Sequence, residues 1–441
     1  MRLAASLALA LLLPQLPVAA PPAGDPPPWE KAMRAGREAI EAEAFGRAEE
    51  AFRKALEAAG EGEAGMLRRA VALNNLGWLA YRRGRFREAE EYYRRSLALR
   101  ERLLGPEDPA TAQVAANLAE LARARGDLEQ AERLHRRALA VRERTLGRDH
   151  PDTASSLQGL AAVLAGQGRV AEAEPLARRA LEIQRRAFGE DHPELAASLT
   201  LLAALAYRRG ALEEAERLYR KALAVREADR DTPPEEIASI LVDLAATLRR
   251  LGRSREALAP LERALALRRG AFGEDDRRTR RVYNDLGVNL YLEGEFARAR
   301  AALEAAVGGS AAADDPDRPL YLVNLATVLA ASGALEEARA RLEEALRLLP
   351  EEDPRAGAER ARVFATLAAV AHARGAYREA AESAARALEA AEQAYGPENP
   401  AVLPYLRNRL ALLQLLDRRQ EAEKLRARIA RLEAATGTDA P

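Results

Sequence analysis

The stretch that decides the fold reads LNNLGWLAYRRGRFREAEEYYRRSLALRERLL and runs from residue 73 to residue 104. Its first half carries apolar or small residues at i, i+3, i+4 and i+7, which is the spacing of one α-helical stripe: Leu73, Leu76, Gly77 and Ala80. Gly84 interrupts this pattern, and a second helical stripe follows it: Phe86, Ala89, Tyr93, Ser96 and Leu97. The segment therefore predicts two amphipathic helices joined by a tight turn.

Small residues stand on both stripes, where larger side chains would also be buried. Gly77 on the first stripe and Ala89 on the second let the two helices approach closely, with a side chain of one helix filling the space left by the other. A single helix pair cannot bury its apolar face alone, so such pairs must stack on one another. The segment predicts one unit of a repetitive array.

The same pattern recurs along the chain. Turn glycines follow one another at intervals of 42 residues, with one interval of 39 residues before the seventh: Gly84, Gly126, Gly168, Gly210, Gly252, Gly294, Gly333 and Gly375. An alanine stands five residues after each of them: Ala89, Ala131, Ala173, Ala215, Ala257, Ala299, Ala338 and Ala380. The register extends to Glu43 and Ala48 at one end and to Asp417 and Ala422 at the other. Ten units result.

The paired small residues, Tyr93 and the turn glycine resemble tetratricopeptide repeats, whose usual period is about 34 residues. The longer period here includes a loop with its own signature, which reads LGPEDPATA from Leu104, LGRDHPDTA from Leu146, FGEDHPELA from Phe188 and YGPENPAVL from Tyr395. This form resembles the class typified by kinesin light chains, which is abundant in bacterial proteins. The resemblance implies an all-α fold, a right-handed superhelix (an α-solenoid) of about ten helix-turn-helix repeats over residues 29–433.

Several segments depart from the repeat. Glu43 replaces the first turn glycine, and residues 229–234 read DRDTPP in place of the loop signature. The junction at 307–319 is short and rich in Gly, Ala and Asp, and we interpret it as a hinge or a change of superhelical pitch. In the tenth unit, the spacing from Leu410 to Asp417 is 7, against 8 from Leu76 to Gly84, which leaves its packing open. Residues 434–441 are expected to form a disordered tail.

Composition excludes several classes of function. The 68 basic and 68 acidic residues of the 441-residue chain balance to a formal net charge of zero, whereas proteins that neutralise nucleic-acid phosphates are usually strongly basic. The chain has no cysteine and four histidines, so it has no thiolate site and little material for a histidine metal site. It contains neither a phosphate-binding G-x-x-x-x-G-K-[ST] loop nor a G-x-S-x-G motif. We expect no cofactor and no metal.

The first twenty residues resemble a secretory signal peptide. Arg2 precedes an unbroken apolar run from Leu3 to Leu13, and small residues end the segment at positions 18–20. Pro21 is unfavourable directly after a cleavage site, so an uncleaved membrane anchor or a wrongly assigned start are the alternatives. Residues 21–28 are proline-rich and predict a stiff linker. We expect an exported protein, periplasmic or extracellular, with membrane contact only if residues 1–20 stay attached.

The histidines favour structural roles. His150 and His192 lie in equivalent Asp-His-Pro tripeptides, which indicates a loop that starts the next helix, with Asp152 and Thr153 available as caps. His135 replaces an aromatic residue on a packing stripe. His372 could have either a structural or a functional role.

In tetratricopeptide repeats the first helices line a concave groove, and their residues outside the packing stripe face it. In the second unit these residues are Val71, Asn74, Asn75, Trp78, Tyr81 and Arg82. The position of Asn75 recurs as Asn117, Asp243, Asp285, Asn324 and Asn408, with the exceptions Gly159, Leu201, Thr366 and Arg34. An amide offers both a donor and an acceptor to a peptide backbone, which is how the family holds peptides, or it could bond to the neighbouring repeat. Trp78 could anchor a ligand or pack internally.

These residues form the predicted peptide-binding site: Asn74, Asn75, Trp78, Tyr81, Asn117, Glu120, Tyr207, Asn284, Asp285, Tyr291 and Asn324. We therefore expect an exported, non-enzymatic scaffold that binds an extended peptide or protein segment in its groove and does not bind nucleic acid. A structural, self-associating subunit of an envelope complex is the alternative. Catalysis would need an ionisable cluster, for which Asp243 and Asp285 are the available pair.

Overall fold

The computed structural model describes residues 26–42, 44–309, 315–350, 353 and 356–436. These residues form twenty α-helices and no strand. Consecutive helices pair, so that repeat one is α1 with α2 and repeat ten is α19 with α20. The proposed signal peptide, residues 21–25 of the proposed linker and Glu43 lie outside the described residues, as do positions 310–314 of the short junction and the last five residues of the expected tail. The first three residues of that tail, 434–436, belong to α20, so the tail was predicted to begin too early. The chain divides into two compact units between Thr232 and Pro233, inside the DRDTPP segment.

The first unit holds repeats one to five. Its helices are α1 (Pro28–Glu41), α2 (Phe45–Glu57), α3 (Gly62–Arg82), α4 (Phe86–Leu104), α5 (Pro109–Ala124), α6 (Leu128–Thr145), α7 (Pro151–Gly166), α8 (Val170–Phe188), α9 (Leu195–Arg208) and α10 (Leu212–Ala228). Each helix packs against the next along the chain, and the first helices of repeats two to five also contact one another in order.

The second unit holds repeats six to ten. Its helices are α11 (Pro234–Arg250), α12 (Ser254–Phe272), α13 (Arg277–Leu292), α14 (Phe296–Val307), α15 (Arg318–Ala331), α16 (Leu335–Arg347), α17 (Gly357–Ala373), α18 (Tyr377–Tyr395), α19 (Leu403–Leu415) and α20 (Arg419–Thr436). A single 3₁₀ turn, Pro400–Val402, precedes α19. The fold is all-α, as predicted.

The turn glycines end the first helices in a left-handed backbone conformation. Gly84 has φ of 73°, and its amide donates to the carbonyl of Tyr81 while the amide of Arg85 donates to that of Ala80. This conformation satisfies the last carbonyls of the helix and strongly favours glycine. All eight predicted turn glycines have φ between 73° and 85°.

In repeat ten the left-handed turn residue is Asp417, with φ of 56° and the same two hydrogen bonds, from its own amide to Gln414 and from Arg418 to Leu413. The register of repeat ten is therefore unchanged. Leu410 corresponds to Gly77, and the residue that corresponds to Leu76 is Arg409. The spacing of 7 from Leu410 to Asp417 was compared with the spacing of 8 from Leu76 to Gly84, although Leu410 and Leu76 are not equivalent positions.

Close helix contacts explain the small residues. A Cβ atom added to Gly77 would lie 2.7 Å from the Tyr93 ring, and one added to Gly36 would lie 2.4 Å from Phe52. The ten alanines of the repeat, from Ala48 to Ala422, are all buried. Within each unit, the core is therefore a series of contacts in which a small residue of one helix faces a larger side chain of the paired helix.

Four loop residues cap the helix or 3₁₀ turn that follows them. Asp108, Asp276 and Asn399 accept a hydrogen bond from the amide two residues later through a side-chain oxygen. His150 caps α7 in the same way, with Nδ1 3.1 Å from the amide of Asp152. His192 Nδ1 accepts from the amide of Glu194 at 3.2 Å in the turn before α9, whose cap position, Glu194, makes no side-chain cap hydrogen bond. The loop role expected of these histidines is confirmed. The expected caps were wrong, because the imidazole itself caps the helix while Thr153 bonds back to Gly147.

A buried ion pair anchors the helix after the short junction at 307–319. Asp315 accepts from Arg280 at 2.9 Å and from Arg277 at 3.2 Å, and both Asp315 and Arg280 are almost fully buried. Asp315 also accepts the amide of Asp317 at the start of α15. The hinge proposed for this junction stays a prediction.

Candidate functional site

The groove face is the set of first-helix positions equivalent to Val71, Asn74, Asn75, Trp78, Tyr81 and Arg82. In repeats two and three this face is covered by a connected set of amides. Asn117 Nδ2 donates to Asn74 Oδ1 at 2.9 Å, which joins α5 to α3. Gln113 Nε2 donates to Asn117 Oδ1 at 3.0 Å. The Asn117 amide is therefore satisfied within the protein on both sides, in the arrangement left open as a bond to the neighbouring repeat.

Arg142 extends this network to the second helices. Its guanidinium donates to Gln113 Oε1, to Ser156 Oγ at 2.8 Å and to the carbonyl of Asp152 at 2.9 Å. Burial lowers the pKa of Arg142, partly offset by Asp152. These hydrogen bonds form an unbroken series from Asn74 through Asn117, Gln113 and Arg142 to Ser156. The network therefore fixes the relative positions of α3, α5, α6 and α7.

Asn75 differs from Asn117, although the two occupy equivalent positions. Its side chain is only 4% exposed, yet Nδ2 has no hydrogen-bond partner among the described residues. A buried donor without a partner costs about 1–3 kcal/mol. The described part of the chain therefore provides no acceptor for Asn75 Nδ2. The neighbouring amides of Asn74 and Asn117, by contrast, are hydrogen-bonded to each other.

Trp78 and Tyr81 line the same face and are half-buried. Trp78 packs against the buried residues of both flanking helix pairs, and the guanidinium of Arg82 lies 5.6 Å from its ring centre. Tyr81 packs against Phe86 with ring centres 5.9 Å apart. Burial, with a smaller contribution from Glu120, raises the pKa of Tyr81. Both residues pack internally and remain partly exposed, so the two interpretations of Trp78 are compatible.

Glu120 is the buried centre of a charged cluster. It accepts from Arg123 at 2.8 Å through one oxygen, and its other oxygen lies 3.1 Å from His135 Nε2. Burial alone would raise the pKa of Glu120, but Arg123 and the His135 hydrogen bond outweigh it and lower the pKa to about 2. Glu120 is therefore ionised and internally paired near neutral pH.

His135 packs as an aromatic residue would, as expected, and it explains one departure from the repeat. Its ring is 2% exposed, and a Cβ atom on Gly159 would lie 2.3 Å from it. Gly159 replaces the recurrent amide because the imidazole fills that space. His372 is exposed and meets the edge of Tyr377 at 5.4 Å.

The second unit repeats the amide pair. Asn324 Nδ2 donates to Asn284 Oδ1 at 2.7 Å, at the same two positions that Asn117 and Asn74 occupy. Asn284 Nδ2 lies 3.4 Å from the carboxylate of its neighbour Asp285. Tyr291 packs against Phe296 as Tyr81 does against Phe86. The groove face thus has one polar cluster in each unit.

Two half-buried carboxylates belong to the second cluster. Burial raises the pKa of Asp243 to about 6, with Asp285 adding to the shift and Arg268 opposing it. Burial also raises the pKa of Asp285, against the influence of Arg249 and Arg281. Neither carboxylate lies within 4.0 Å of a basic nitrogen among the residues that the structure describes.

The predicted site residues fall into two sets. Asn74, Asn75, Trp78, Tyr81, Asn117 and Glu120 come together in repeats two and three, whereas Asn284, Asp285, Tyr291 and Asn324 come together in repeats seven and eight. Tyr207 lies half-buried on α9 in the first unit, in repeat five. Peptide contact by any of these residues stays a prediction.

Sequence reasoning missed three arginines of the second helices, which lie behind the groove face. Arg100, Arg142 and Arg268 are equivalent, and each donates to the carbonyl of the residue ten positions later. The 42-residue spacing between Arg100 and Arg142 is visible in the sequence and could have revealed them.

No group of three or more metal-ligating side chains occurs within the described ranges. No described helix is both long and apolar enough to cross a bilayer.

Comparison with known proteins identifies the type of repeat. Profiles described as "Tetratricopeptide repeat" match residues 40–102, 68–144, 108–186, 157–228, 236–310, 319–344 and 360–401. No curated protein matches the chain.

Among solved structures, a signal transduction ATPase with a tetratricopeptide repeat sensor from Pyrococcus horikoshii is 16% identical, with a TM-score of 0.58 over 78% of this chain and 52% of that one. The apo quorum sensor NprR from B. thuringiensis is 14% identical, with a TM-score of 0.55 over 73% and 87%. A putative kinesin light chain from Podosopora anserina is 23% identical, with a TM-score of 0.40 over 45% and 95%. The profiles cover more than half of the sequence, and the chain therefore belongs to the tetratricopeptide repeat family.

Proposed function

We propose that this protein is an exported, non-enzymatic scaffold that binds an extended peptide or protein segment on the groove face of repeats two and three. Tetratricopeptide repeat proteins are generally non-catalytic, and their stacked helices form extended binding surfaces. Export rests on the sequence of residues 1–20. The intact mass of the protein recovered outside the cytoplasm tests it, since removal of those residues is expected and a soluble cytoplasmic chain that retains them would contradict it.

The observation that carries the peptide proposal is the unpartnered Nδ2 of Asn75. A backbone carbonyl of an extended ligand supplies the acceptor that this buried donor lacks, and the bond then forms where water is largely excluded. The neighbouring pair of Asn74 and Asn117 holds its geometry without a ligand, so the surface around Asn75 is preorganised. The half-buried indole of Trp78 offers apolar area one helical turn away, and tryptophan is a frequent anchor at interfaces.

The chain itself supplies the side chains for variants that remove these groups. Repeat five has Leu201 at the position of Asn75, 4% exposed, and repeat four has Ala162 at the position of Trp78. Asn75→Leu and Trp78→Ala therefore copy side chains that the array already accommodates. Glu91→Ala, on the exposed side of α4, is the matched control.

The experiment selects peptides from a random library on the immobilised full-length chain and measures their affinity for each variant. We expect Asn75→Leu to weaken binding by about 1–3 kcal/mol, Trp78→Ala by at least about 2 kcal/mol, and Glu91→Ala to have no effect. Equal affinity for all four proteins would refute the groove assignment. A concentration-dependent oligomer whose formation these variants block would instead favour the self-associating scaffold.

A further inference from the structure

One residue of repeat ten breaks the packing rule of the array. The residue eight positions before the turn is leucine in every repeat from two to nine: Leu76, Leu118, Leu160, Leu202, Leu244, Leu286, Leu325 and Leu367. In repeat ten, where Asp417 forms the turn, this residue is Arg409. Arg409 is half-buried and stands next to Asn408, the groove position, but on the packing side of α19. A guanidinium therefore occupies a place that the fold otherwise fills with hydrocarbon.

A pocket opens at this point. It has a volume of about 360 Å³ and lies between α18, α19 and α20, with Leu388 and Leu425 as apolar walls and Arg386, Glu389 and Arg409 among its polar lining. It is formed by packing surfaces and not by the groove face.

The charged groups that line this pocket are only partly paired with one another. Arg428 is engaged by Glu392 and by the carbonyl of Pro397. The guanidinium of Arg386 lies over the Phe364 ring at 4.2 Å. Within the described residues, no carboxylate oxygen lies within 4.0 Å of an Arg409 nitrogen, and no basic nitrogen lies within 4.0 Å of the Glu389 carboxylate.

The two groups differ in exposure, because Arg409 is half-buried whereas Glu389 is exposed. A half-buried guanidinium without an anion is costly, because burial removes its water without replacing the lost interactions. The pocket thus presents a cation and an anion across an open, partly apolar space.

We propose that this pocket binds a free apolar α-amino acid. The ligand carboxylate bonds to the planar fork of Arg409, the ligand ammonium lies toward Glu389, and the hydrocarbon side chain packs on Leu388 and Leu425. Arginine binds carboxylates through two parallel hydrogen bonds, which fixes the orientation of the ligand. Three arginines and two glutamates leave the lining with one net positive charge, which suits a zwitterion better than a phosphate dianion. The site is independent of the groove proposal.

The test measures binding of L-leucine to the full chain by calorimetry, with L-valine, L-isoleucine and L-methionine as further probes. N-acetyl-L-leucine lacks the ammonium, L-leucinamide lacks the carboxylate, and inorganic phosphate tests for a simple anion site. We expect at least one of the four amino acids to bind with a millimolar or lower Kd. We expect the acetylated and amidated forms of leucine to bind at least tenfold more weakly than leucine itself, and phosphate to bind more weakly than the amino acids.

The decisive variant is Arg409→Leu, which restores the residue of the other repeats. It is expected to melt no lower than the unaltered protein and to lose at least tenfold in affinity, while Glu389→Gln weakens leucine without affecting N-acetyl-L-leucine. Arg407→Leu, which removes an exposed arginine paired with Glu433, is the control and keeps the affinity.

Four results would each overturn the proposal. They are a lower melting temperature for Arg409→Leu, unchanged affinity in that variant, tighter binding of phosphate or N-acetyl-L-leucine than of any amino acid, and no binding of the four amino acids at millimolar concentration. The first would show that the guanidinium is structural, and the third would point to an anion or a peptide carboxyl terminus as the ligand.

Discussion

The substitution Gly77→Ala tests whether close contact between paired helices holds the array together. A methyl group at this position would lie 2.7, 2.8 and 3.1 Å from three carbons of the Tyr93 ring. Tyr93, on α4, is 1% exposed, and its ring packs against residues of α3 and α5. The ring therefore has little room to move. Gly270, by contrast, is a helical glycine of α12 with no atom within 4 Å of an added Cβ.

The expected magnitudes follow from two opposing effects. Replacing a helical glycine by alanine stabilises a helix by about 0.5–1 kcal/mol, because the unfolded chain loses less freedom on folding. Overpacking a filled core costs about 1–3 kcal/mol. Gly270→Ala therefore stabilises the protein by about 0.5–1 kcal/mol, whereas Gly77→Ala lowers its stability by up to about 2 kcal/mol. The difference between the two variants isolates the steric contact.

Native-state hydrogen exchange is the appropriate assay, because stability in repeat arrays is distributed among neighbouring units and global unfolding is not two-state. Protection is expected to fall in α3 and α4 of Gly77→Ala and to rise in α12 of Gly270→Ala. Repeat four pairs Ala161 with Ala177 at the positions of Gly77 and Tyr93, both fully buried. In a Tyr93→Ala background, Gly77→Ala should therefore lose its cost. Equal protection changes for Gly77→Ala and Gly270→Ala would refute the reasoning.

Three further predictions concern charge and capping. Asp315→Ala leaves Arg280 buried without its carboxylate and should lower the stability of repeats seven and eight by about 3–5 kcal/mol, measured by hydrogen exchange in α13 and α15; a loss below about 1 kcal/mol would contradict the buried-pair account. Asp243→Asn should stabilise α11 and α13 at pH 8, because a carboxyl whose pKa rises to about 6 on folding destabilises the folded state above its unfolded pKa, and this gain should vanish near pH 3; a gain that is the same at both pH values would exclude titration as its cause. His150→Ala should cost about 0.5–2 kcal/mol in α7, whereas His150→Asp restores a side-chain cap and should not; equal melting of both variants would show that the imidazole does not cap.

Much of the fold could be predicted because the repeat leaves a strong periodic signal. The glycine at position 84 and its equivalents are required by a left-handed turn, and Ala89 and its equivalents by close packing, so each residue type reports directly on local geometry. The boundary between the two compact units coincides with the DRDTPP segment, whose departure from the loop signature is visible in the sequence.

The polar contacts of the site could not be predicted in the same way. The hydrogen bond from Asn117 goes to Asn74 and not to the equivalent Asn75. That choice of partner depends on helix packing and leaves no trace in the spacing. The imidazole cap at His150 was assigned to neighbouring residues, since histidine is an uncommon cap.

The most direct test of the central claim, that the groove face of repeats two and three binds an extended peptide, is a map of crosslinks. A selected peptide with a photoreactive group at each position in turn is irradiated in complex with the full chain, and the attachment sites are identified by mass spectrometry. The account predicts attachment to α3 and α5, around Trp78 and Gln113, with the sites moving steadily along the face as the reactive group moves along the peptide. Attachment confined to the second helices, the loops between repeats or the open ends would contradict it.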